Sequence, residues 1–137
     1  FNISLNESVE MVFWALRNTF GGEVIVPKLK SFRVVDLASA VNKKMKHKII
    51  GIRHGEKIHE ELISEADSLN TYDINKYYIL LSQLDGLKNY YVKNFKAKKV
   101  KKNFKYTSNT IQKFISVKEL IKIINRSNLK KSINFIE

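Results

Sequence analysis

Apolar residues recur at every third or fourth position near the start of the chain, and this spacing predicts an amphipathic helix. Ser4 and Glu7 form a capping box, in which the Ser4 side chain caps the helix and the Glu7 carboxylate reaches back to the Ser4 backbone. Gly21 and Gly22 supply the left-handed residues that end the helix. We expect one apolar stripe to face the core, formed by Val9, Val12, Phe13, Leu16 and Phe20.

Short β-branched runs alternate with helical patterns in the next part of the chain. Residues 23–27 predict a strand closed by Pro27, and Ser31 is a candidate N-cap for a second helix. Residues 48–52 are short and β-branched enough for a buried strand, and apolar residues at helical spacing follow from Ile58. The order helix, strand, helix, strand, turn, helix predicts an α/β fold. The apolar positions of the second and third helices are Val34, Val35, Leu37, Ala38 and Val41, then Ile58, Leu62 and Ile63.

The later part of the chain predicts one more extended element and one more helix. Residues 77–81 are aromatic and β-branched, which favours a strand or an extended segment. Ser116 and Glu119 form a second capping box, which opens a short helix. Its apolar positions are Leu120, Ile121, Ile123 and Ile124. We expect residues 128–137 to fray.

Composition limits the classes of protein and site that the chain can represent. Its 137 residues, 44% of them hydrophobic, suffice for about one globular domain with a modest core. No apolar run approaches the roughly 18 residues of a membrane span, and a cytoplasmic location is expected. The chain has no cysteine, so disulfides, thiolate nucleophiles and cysteine-ligated metals are excluded. Three histidines, His47, His54 and His59, lack the spacing of a metal site.

Charge divides the chain into two unequal parts. Residues 1–85 hold 11 Lys/Arg and 11 Asp/Glu, whereas residues 86–137 hold 14 and 2 and so carry the whole net charge of +12. We therefore predict a boundary at Asp85 and Gly86. Lysines interleave with aromatic residues over 93–105, a pattern that fits either a solvated connector or a contact with nucleic acid or another anionic surface. The connector is favoured, because the segment has no arginine and no nucleic-acid-binding signature.

Two familiar enzyme patterns are missing or incomplete. Tyr72 and Lys76 have the spacing of the Tyr-x-x-x-Lys dyad of short-chain dehydrogenases, but that dyad requires a helix and the neighbouring residues favour a strand. None of the five glycines belongs to a Gly-x-Gly-x-x-Gly dinucleotide fingerprint. No catalytic residue and no cofactor-binding residue is therefore assigned to this chain.

The turn after residues 48–52 is the strongest candidate for ligand binding. Arg53 can pair bidentately with a phosphate, and Gly55 lets the backbone bend. Glu56 can accept hydrogen bonds from a sugar diol near the positive end of the predicted third helix. The alternative is an ordinary surface loop in which Arg53 and Glu56 form an ion pair.

Four blocks of sequence occur in an order that resembles one family. The chain is similar to the C-terminal part of UDP-N-acetylglucosamine 4,6-dehydratases, the CapD-like polysaccharide-biosynthesis branch of the extended short-chain dehydrogenases. The resemblance covers residues 1–82 well, and continues loosely through residues 106–110 and the helix after Ser116. The blocks are SLNESV at 4–9, GGEVIVPK at 21–28, SFRVVDLA at 31–38 and GIRHGEKIHE at 51–60.

The resemblance implies a fold and a reaction for a longer parent enzyme. The fold would be a small mixed α/β substrate-binding domain, residues 1–85, without the N-terminal Rossmann domain, followed by a basic C-terminal extension, residues 86–137. The Rossmann domain of such enzymes binds NADP and carries the catalytic residues, and the parent is expected to be a homo-oligomer. The enzyme oxidises the sugar at C4, eliminates water across C5 and C6 and returns the hydride to C6, in some members with inversion at C5.

The resemblance also assigns roles to individual residues. Arg53 would hold the diphosphate of a UDP-sugar, Glu56 the ribose hydroxyls, and Lys57 would add positive charge. Lys28 and Ser31 are weaker candidates for lining the pocket. His54 stands where many relatives have proline. A nucleotide-sugar 4-epimerase fragment is a close alternative, and a basic module that binds nucleic acid or another anionic surface is a more distant one.

Overall fold

The computed structural model describes residues 1–81, 86–111 and 114–126. Residues 82–85 before the predicted boundary at Gly86, and the predicted fraying of residues 128–137, lie outside these ranges. The helices are α1 (Leu5–Asn18), α2 (Val34–Val41), α3 (Leu87–Phe95) and α4 (Val117–Arg126), with a 3-10 turn at Asp67–Asn70. The strands are β1 (Val24–Pro27), β2 (Glu61–Ile63), β3 (Thr71–Asp73), β4 (Tyr77–Leu80), β5 (Lys98–Lys99) and β6 (Tyr106–Thr107).

An antiparallel sheet of order β1-β4-β3-β5 forms the centre of the molecule. Ile25 pairs with Ile79 between β1 and β4, and Tyr72 pairs with Ile79 between β3 and β4. Trp14 of α1 packs on the buried cluster that this sheet forms with α3, its ring centroid 4.9 Å from that of Tyr77. The buried members of the cluster are Tyr72, Ile74, Tyr77, Ile79, Leu81, Tyr91 and Ala97.

A second, smaller cluster connects this sheet to the β2-β6 pair. It contains Val26 of β1, Ile63 of β2 and Tyr106 of β6, all buried. The Tyr106 hydroxyl accepts a hydrogen bond from Leu29 N at 2.6 Å and donates one to Leu29 O at 3.1 Å. The chain after β1 is thereby fixed to β6. On another side of the molecule, α2 packs against α4.

Two capping boxes and two strands predicted from local signals are confirmed. Ser4 and Glu7 form the capping box of α1, with Ser4 N donating to Glu7 Oε2 at 2.8 Å. Ser116 N likewise donates to Glu119 Oε2 at 2.9 Å at the start of α4. The predicted strands at 23–27 and 77–81 correspond to β1 and β4. Residues 72–76 are not helical, because Tyr72 and Asp73 belong to β3 and residues 74–76 connect β3 to β4.

The predicted orientation of α1 is wrong. Its expected core stripe points outward, with Phe13 54% and Leu16 74% exposed, while Met11 and Trp14 pack on the core. Val34 and Val35 of α2 are exposed as well. Helical spacing identifies an apolar face but does not say whether the chain's own core or another surface covers it.

Ser31 does not cap the second helix. That helix begins at Val34 after Arg33, with no side-chain cap. Ser31 lies instead in a buried bridge beside Phe114, and its carbonyl accepts a hydrogen bond from Ile115 N at 2.7 Å. Tertiary pairing with the segment before α4 has therefore displaced the local cap.

The strand predicted at 48–52 and the helix predicted after the turn are also wrong. Residues 42–60 form an exposed arm without a helix or a strand, and residues 61–63 form strand β2 rather than a helix. Gly51 has a φ of +79°, outside the β region, so the run 48–52 leaves the extended conformation there. Ile63 is buried because β2 pairs with β6, a contact that the local spacing does not encode.

The basic segment 93–105 is more than a connector. It contains the end of α3 and strand β5, which pairs with β3 through Tyr72–Lys99 and Asp73–Lys98. Ala97 between them is buried in the central cluster. The lysine side chains at 98 and 99 are exposed, as the solvated interpretation expects.

Candidate functional site

The Arg53–Glu56 turn has a compact geometry at the outer part of the exposed arm. Arg53 N donates to Glu56 Oε2 at 2.9 Å, and Glu56 N donates to Arg53 O at 3.1 Å. The side chains are 75% and 51% exposed, and Arg53 Nε lies 3.9 Å from Glu56 Oε1. Gly55 has a φ of +84°, which a residue with a side chain rarely adopts. The turn therefore holds a half-exposed carboxylate beside a largely exposed Arg53 side chain.

The groups at this turn are suited to binding a phosphate. A guanidinium matches a phosphate bidentately, whereas a contact of 3.9 Å between exposed charged groups is a weak ion pair. Glu56 Oε1 remains able to accept a hydrogen bond from a ligand hydroxyl. Lys57, the next residue, is exposed and adds a second positive charge. The ion pair expected as an alternative is thus present, but it leaves both side chains accessible.

Lys28 contacts residues of the central sheet rather than residues of the exposed arm. Its ammonium lies 2.7 Å from both carboxylate oxygens of Asp73, and 4.7 Å from the centroid of the Tyr78 ring. These contacts hold the end of β1 against β3 and β4. No hydrogen bond or ion pair within the described ranges joins Lys28 to Arg53, Glu56 or Lys57.

Ser31 is fully buried, and its hydroxyl has no hydrogen-bond partner among the described residues. A buried hydroxyl without a partner is unfavourable, but it is not accessible to a ligand in this conformation. The five candidate residues are therefore divided between two places: Arg53, Glu56 and Lys57 on the exposed arm, and Lys28 and Ser31 on the body.

A positively charged groove of about 1220 Å³ lies beside Lys28, between the start of α1 and α4. Its two acidic residues, Glu7 and Glu119, each accept a hydrogen bond from a capping serine. Sequence reasoning missed this groove because α1 and α4 are far apart in the chain. The separation of four residues between Lys122 and Arg126 on one helix was the available signal. The cationic residues that line the groove are Lys28, Lys30, Lys122 and Arg126.

Two tyrosines near Lys28 are held in their neutral form. Burial raises the pKa of Tyr78, with the Asp73 charge adding to the effect, and burial raises the pKa of Tyr106. The neutral Tyr106 hydroxyl can therefore accept from Leu29 N and donate to Leu29 O at the same time. This pair of hydrogen bonds positions the groove-lining backbone next to Lys28 and Lys30.

The described part of the chain offers no metal centre, since no group of three or more His, Cys, Asp or Glu side chains in residues 1–81, 86–111 and 114–126 could hold an ion. Its helices are also too short or too polar to cross a bilayer within those same ranges.

Comparison with known proteins shows that most of the chain is similar to sugar-nucleotide enzymes. Residues 1–82 match the family model described as "Polysaccharide biosynthesis protein". The chain is similar to the UDP-N-acetylglucosamine 4,6-dehydratase (inverting) of Campylobacter jejuni, with 39% identity over 132 residues, 93% of this chain and 40% of that enzyme. It is also similar to the UDP-glucose 4-epimerase of Rickettsia canadensis, with 34% identity over 133 residues, 91% of this chain and 38% of that enzyme.

A solved structure shows the same fold. The structure described as "X-ray structure of Pen from Bacillus thuringiensis" superposes with a TM-score of 0.74 at 26% identity, over 93% of this chain and 38% of that one. The match to the dehydratase lies in its C-terminal part, and the chain spans about 40% of that relative's length. The resemblance stated from the four sequence blocks, and the small mixed fold of an extended short-chain dehydrogenase, are thereby confirmed.

Proposed function

Because the chain belongs to the polysaccharide biosynthesis protein family, we propose that it is the nucleotide-sugar-binding C-terminal portion of an NADP-dependent UDP-N-acetylglucosamine 4,6-dehydratase. The dehydratase relative has the higher identity of the two relatives compared, 39% against 34% for the epimerase. Both relatives are named for a UDP-sugar, which supports a UDP-sugar as the ligand of this chain. The parent enzyme would act in the synthesis of a surface polysaccharide or glycan in the cytoplasm, as a homo-oligomer.

The geometry of the Arg53–Glu56 turn is the observation that carries this proposal. One short turn presents a guanidinium, a carboxylate and the Lys57 ammonium to solvent. Arg53 would hold the diphosphate and Glu56 the ribose hydroxyls, the two groups that every UDP-sugar contains. Lys28 and Ser31 remain secondary candidates, because one is paired with Asp73 and the other is buried.

NADP would belong to the N-terminal portion of the parent enzyme, where it would accept and return a hydride. We assign no dinucleotide site to this chain, because its sequence lacks the glycine-rich fingerprint. The positive-φ glycines Gly21, Gly22, Gly51, Gly55 and Gly86 lie in separate segments and form no Gly-x-Gly-x-x-Gly loop. This chain would therefore bind and orient the nucleotide-sugar, and we assign no proton or hydride transfer to its residues.

The exposed apolar surface supports the idea that this chain is part of a longer enzyme. Phe13 and Leu16 of α1, and Val34 and Val35 of α2, are exposed although their spacing is that of buried helix faces. Apolar patches of this kind mark contacts with another protein surface. This chain spans only 40% of the Campylobacter jejuni dehydratase. The remaining part of such an enzyme is a candidate for the surface that covers these apolar residues.

A chimera tests the function. We would join the part of the Campylobacter jejuni dehydratase that precedes its similarity to this chain to all 137 residues, and measure UDP binding by calorimetry. Arg53→Ala should raise the Kd about 10- to 150-fold, the equivalent of the roughly 1.5–3 kcal/mol of a hydrogen bond to a charged group. Lys46→Ala, which removes a cation elsewhere on the exposed arm, is the matched control and should change the Kd less than about threefold.

An unchanged Kd for Arg53→Ala in a folded, UDP-binding chimera would show that the turn is structural. A chimera that folds but binds no UDP would reject the nucleotide-sugar function itself. Product analysis by NMR separates the two enzyme classes: loss of water from UDP-N-acetylglucosamine identifies the dehydratase, and interconversion of the C4 epimers identifies the alternative 4-epimerase.

The lysine-rich segment is the one observation that supports a different function, the binding of a polyanion. Residues 86–111 contain eight lysines and no Asp or Glu, and most of those lysines are exposed. Such a surface could attract nucleic acid or another polyanion. We rank it below the nucleotide-sugar function, because β5 and Ala97 give the same segment a structural role in the central sheet.

A further inference from the structure

The exposed arm, residues 42–60, contains a strand-forming sequence that has no strand partner. Within it, Ile49 is 94% exposed, and Ile50 and Ile52 are 67% and 63% exposed. Isoleucine is among the residues most often buried in proteins, and three within four positions on a solvated segment are unfavourable. The sequence and the conformation of this run therefore disagree.

The pattern of the run indicates what it lacks. In an extended chain, Ile50 and Ile52 would point to one side and Ile49 to the other, because side chains alternate along a strand. A strand with apolar residues on both sides is typical of a position covered on both faces. Gly51 is the one residue of the run with a positive φ, +79°, and glycine adopts extended and left-handed conformations with similar ease. The run can therefore become extended when a neighbour is present.

The described residues do not supply that neighbour. Within the exposed arm, the backbone hydrogen bonds join nearby residues, such as Glu56 N to Arg53 O. The arm meets the body where β2 begins, with Ser108 N donating to Glu60 O at 2.8 Å and Glu60 N donating to Ser108 Oγ at 3.1 Å. The exposed arm is thus anchored at that end and unpaired along residues 48–52.

We propose that residues 48–52 become a β-strand by pairing with a strand of the N-terminal portion of the same enzyme. That portion is the part of the relatives that this chain does not span, 60% of the length of the Campylobacter jejuni dehydratase. It is large enough to provide both a pairing strand and an apolar cover. This inference rests on the proposed function in one respect only, the presence of that N-terminal portion.

Strand formation would also prepare the ligand site. Arg53 follows Ile52 directly, so a paired strand at 48–52 would fix the direction from which the Arg53–Glu56 turn begins. The turn closes through its own hydrogen bonds, and among the described residues no hydrogen bond joins Arg53 or Glu56 to the rest of the protein. Fixing a binding group before the ligand arrives lowers the entropic cost of binding. The N-terminal portion would therefore act as a positioning element for Arg53 and Glu56.

Amide hydrogen exchange tests the proposal, first on the isolated 137-residue chain. Residues 49–52 should exchange about as fast as an unstructured peptide, while Ile79 and Leu80 of β4 should be protected. The rates at 49–52 should not depend on protein concentration. Protection of 49–52 in the isolated monomer would overturn the proposal, and protection that appears only at high concentration would assign the pairing to a second copy instead.

The same measurement on the chimera gives the positive test. At least one amide between Ile49 and Ile52 should slow by about 100-fold or more relative to the isolated chain. Equal rates in both proteins would overturn the proposal. An insoluble chimera, when the intact Campylobacter jejuni enzyme prepared in parallel is soluble, would also count against it, because the two portions would then not fit together.

Proline variants identify the backbone contacts. Proline removes the N–H that a strand donates, so either Ile49→Pro or Ile50→Pro should abolish the protection of the remaining amides of the run in the chimera. Lys46→Pro, on the exposed arm but outside the run, is the control and should leave that protection within about twofold. Amide exchange does not require UDP, so the two proposals can fail separately. Protection of 49–52 in a chimera that does not bind UDP would support strand pairing and reject the proposed function. UDP binding without protection of 49–52 would support the proposed function and reject strand pairing.

Discussion

The Tyr91 hydroxyl donates a hydrogen bond of 2.8 Å to Glu23 Oε1 and lies 3.0 Å from Asn18 O. Tyr91 is fully buried on α3, while Asn18 ends α1 and Glu23 precedes β1. The same Glu23 carboxylate accepts hydrogen bonds from Phe20 N and Gly21 N. One phenol therefore joins the basic second half of the chain to the turn between α1 and β1.

Tyr91→Phe should destabilise the protein by about 1–3 kcal/mol, because it removes the one hydroxyl proton that lies within hydrogen-bond distance of both Glu23 Oε1 and Asn18 O. Chemical denaturation of the isolated chain measures the effect. Tyr90→Phe is the matched control, since the Tyr90 hydroxyl forms no hydrogen bond to the described residues, and it should change the free energy of unfolding by less than about 0.5 kcal/mol. Equal effects of the two substitutions would contradict the assigned role of Tyr91.

Stability should fall as the solution becomes acidic. The Ser4 hydroxyl and backbone lower the pKa of Glu7, and the Ser64 hydroxyl and backbone lower that of Asp67. A carboxyl group whose pKa is lower in the folded state stabilises the fold above its unfolded pKa, and this stabilisation is lost as the pH falls through the folded pKa. The free energy of unfolding should therefore decline from about pH 5 downward.

Thermal unfolding from pH 7 to pH 3 measures that decline. Glu7→Gln keeps a hydrogen-bond acceptor for the capping box but removes the titration, so its midpoint should depend less on pH than that of the unaltered chain. An identical pH profile for both proteins would show that Glu7 does not contribute.

Lys28 and Asp73 should behave as a coupled pair. A double-mutant cycle with Lys28→Met and Asp73→Asn should give a coupling energy of about 0.2–1 kcal/mol, because the ion pair is short but its side chains are 32% and 38% exposed. In the chimera, Lys28→Met should raise the Kd for UDP less than Arg53→Ala does, since the Lys28 ammonium is already paired. A larger effect for Lys28→Met would move the diphosphate site from the exposed arm to the body.

The two faces of α1 should respond differently to substitution. Trp14→Ala should cost about 3 kcal/mol in the isolated chain and in the chimera, since Trp14 is partly buried and packs against Tyr77 and Phe95. The double substitution Phe13→Ser and Leu16→Ser should leave the isolated chain as stable as the unaltered chain, and any self-association should decrease. In the chimera, the same double substitution should lower the unfolding temperature. Equal unfolding temperatures for the altered and unaltered chimera would show that the N-terminal portion does not cover this face.

Oligonucleotide titration tests the alternative hypothesis that the chain is a basic module that binds nucleic acid. We expect the isolated chain to bind DNA or RNA no more tightly than the Kd of about 10⁻⁴ to 10⁻⁶ M typical of nonspecific contacts at physiological salt. A Kd below this range, with a steep dependence on salt, would support the basic module. Replacing Lys98 and Lys99 with glutamine should then weaken binding, whereas replacing Lys43 and Lys44 should not.

Local patterns allowed half of the architecture to be predicted. Both capping boxes, at Ser4 and Ser116, were identified because their partners lie three residues apart and bond within a single helical turn. Strands β1 and β4 followed from β-branched and aromatic runs. The pattern after the Arg53–Glu56 turn failed, because Ile58, Leu62 and Ile63 fit helical spacing while Ile63 is buried by a strand contact with β6.

By itself, the sequence determined the starts of α1 and α4, two strands and the family, and it predicts a phosphate and diol site at Arg53 and Glu56. Tertiary structure decided which face of α1 meets the core, where Lys28 and Ser31 lie, and that Tyr91 and Tyr106 connect distant segments. The physical reason is the separation along the chain between the residues that interact. Capping and strand propensity depend on neighbours along the chain, whereas burial and pairing depend on partners far away in it. In residues 48–52, local propensity favours a strand, but the run is exposed in this structure. We propose that it becomes a strand when a partner strand is present.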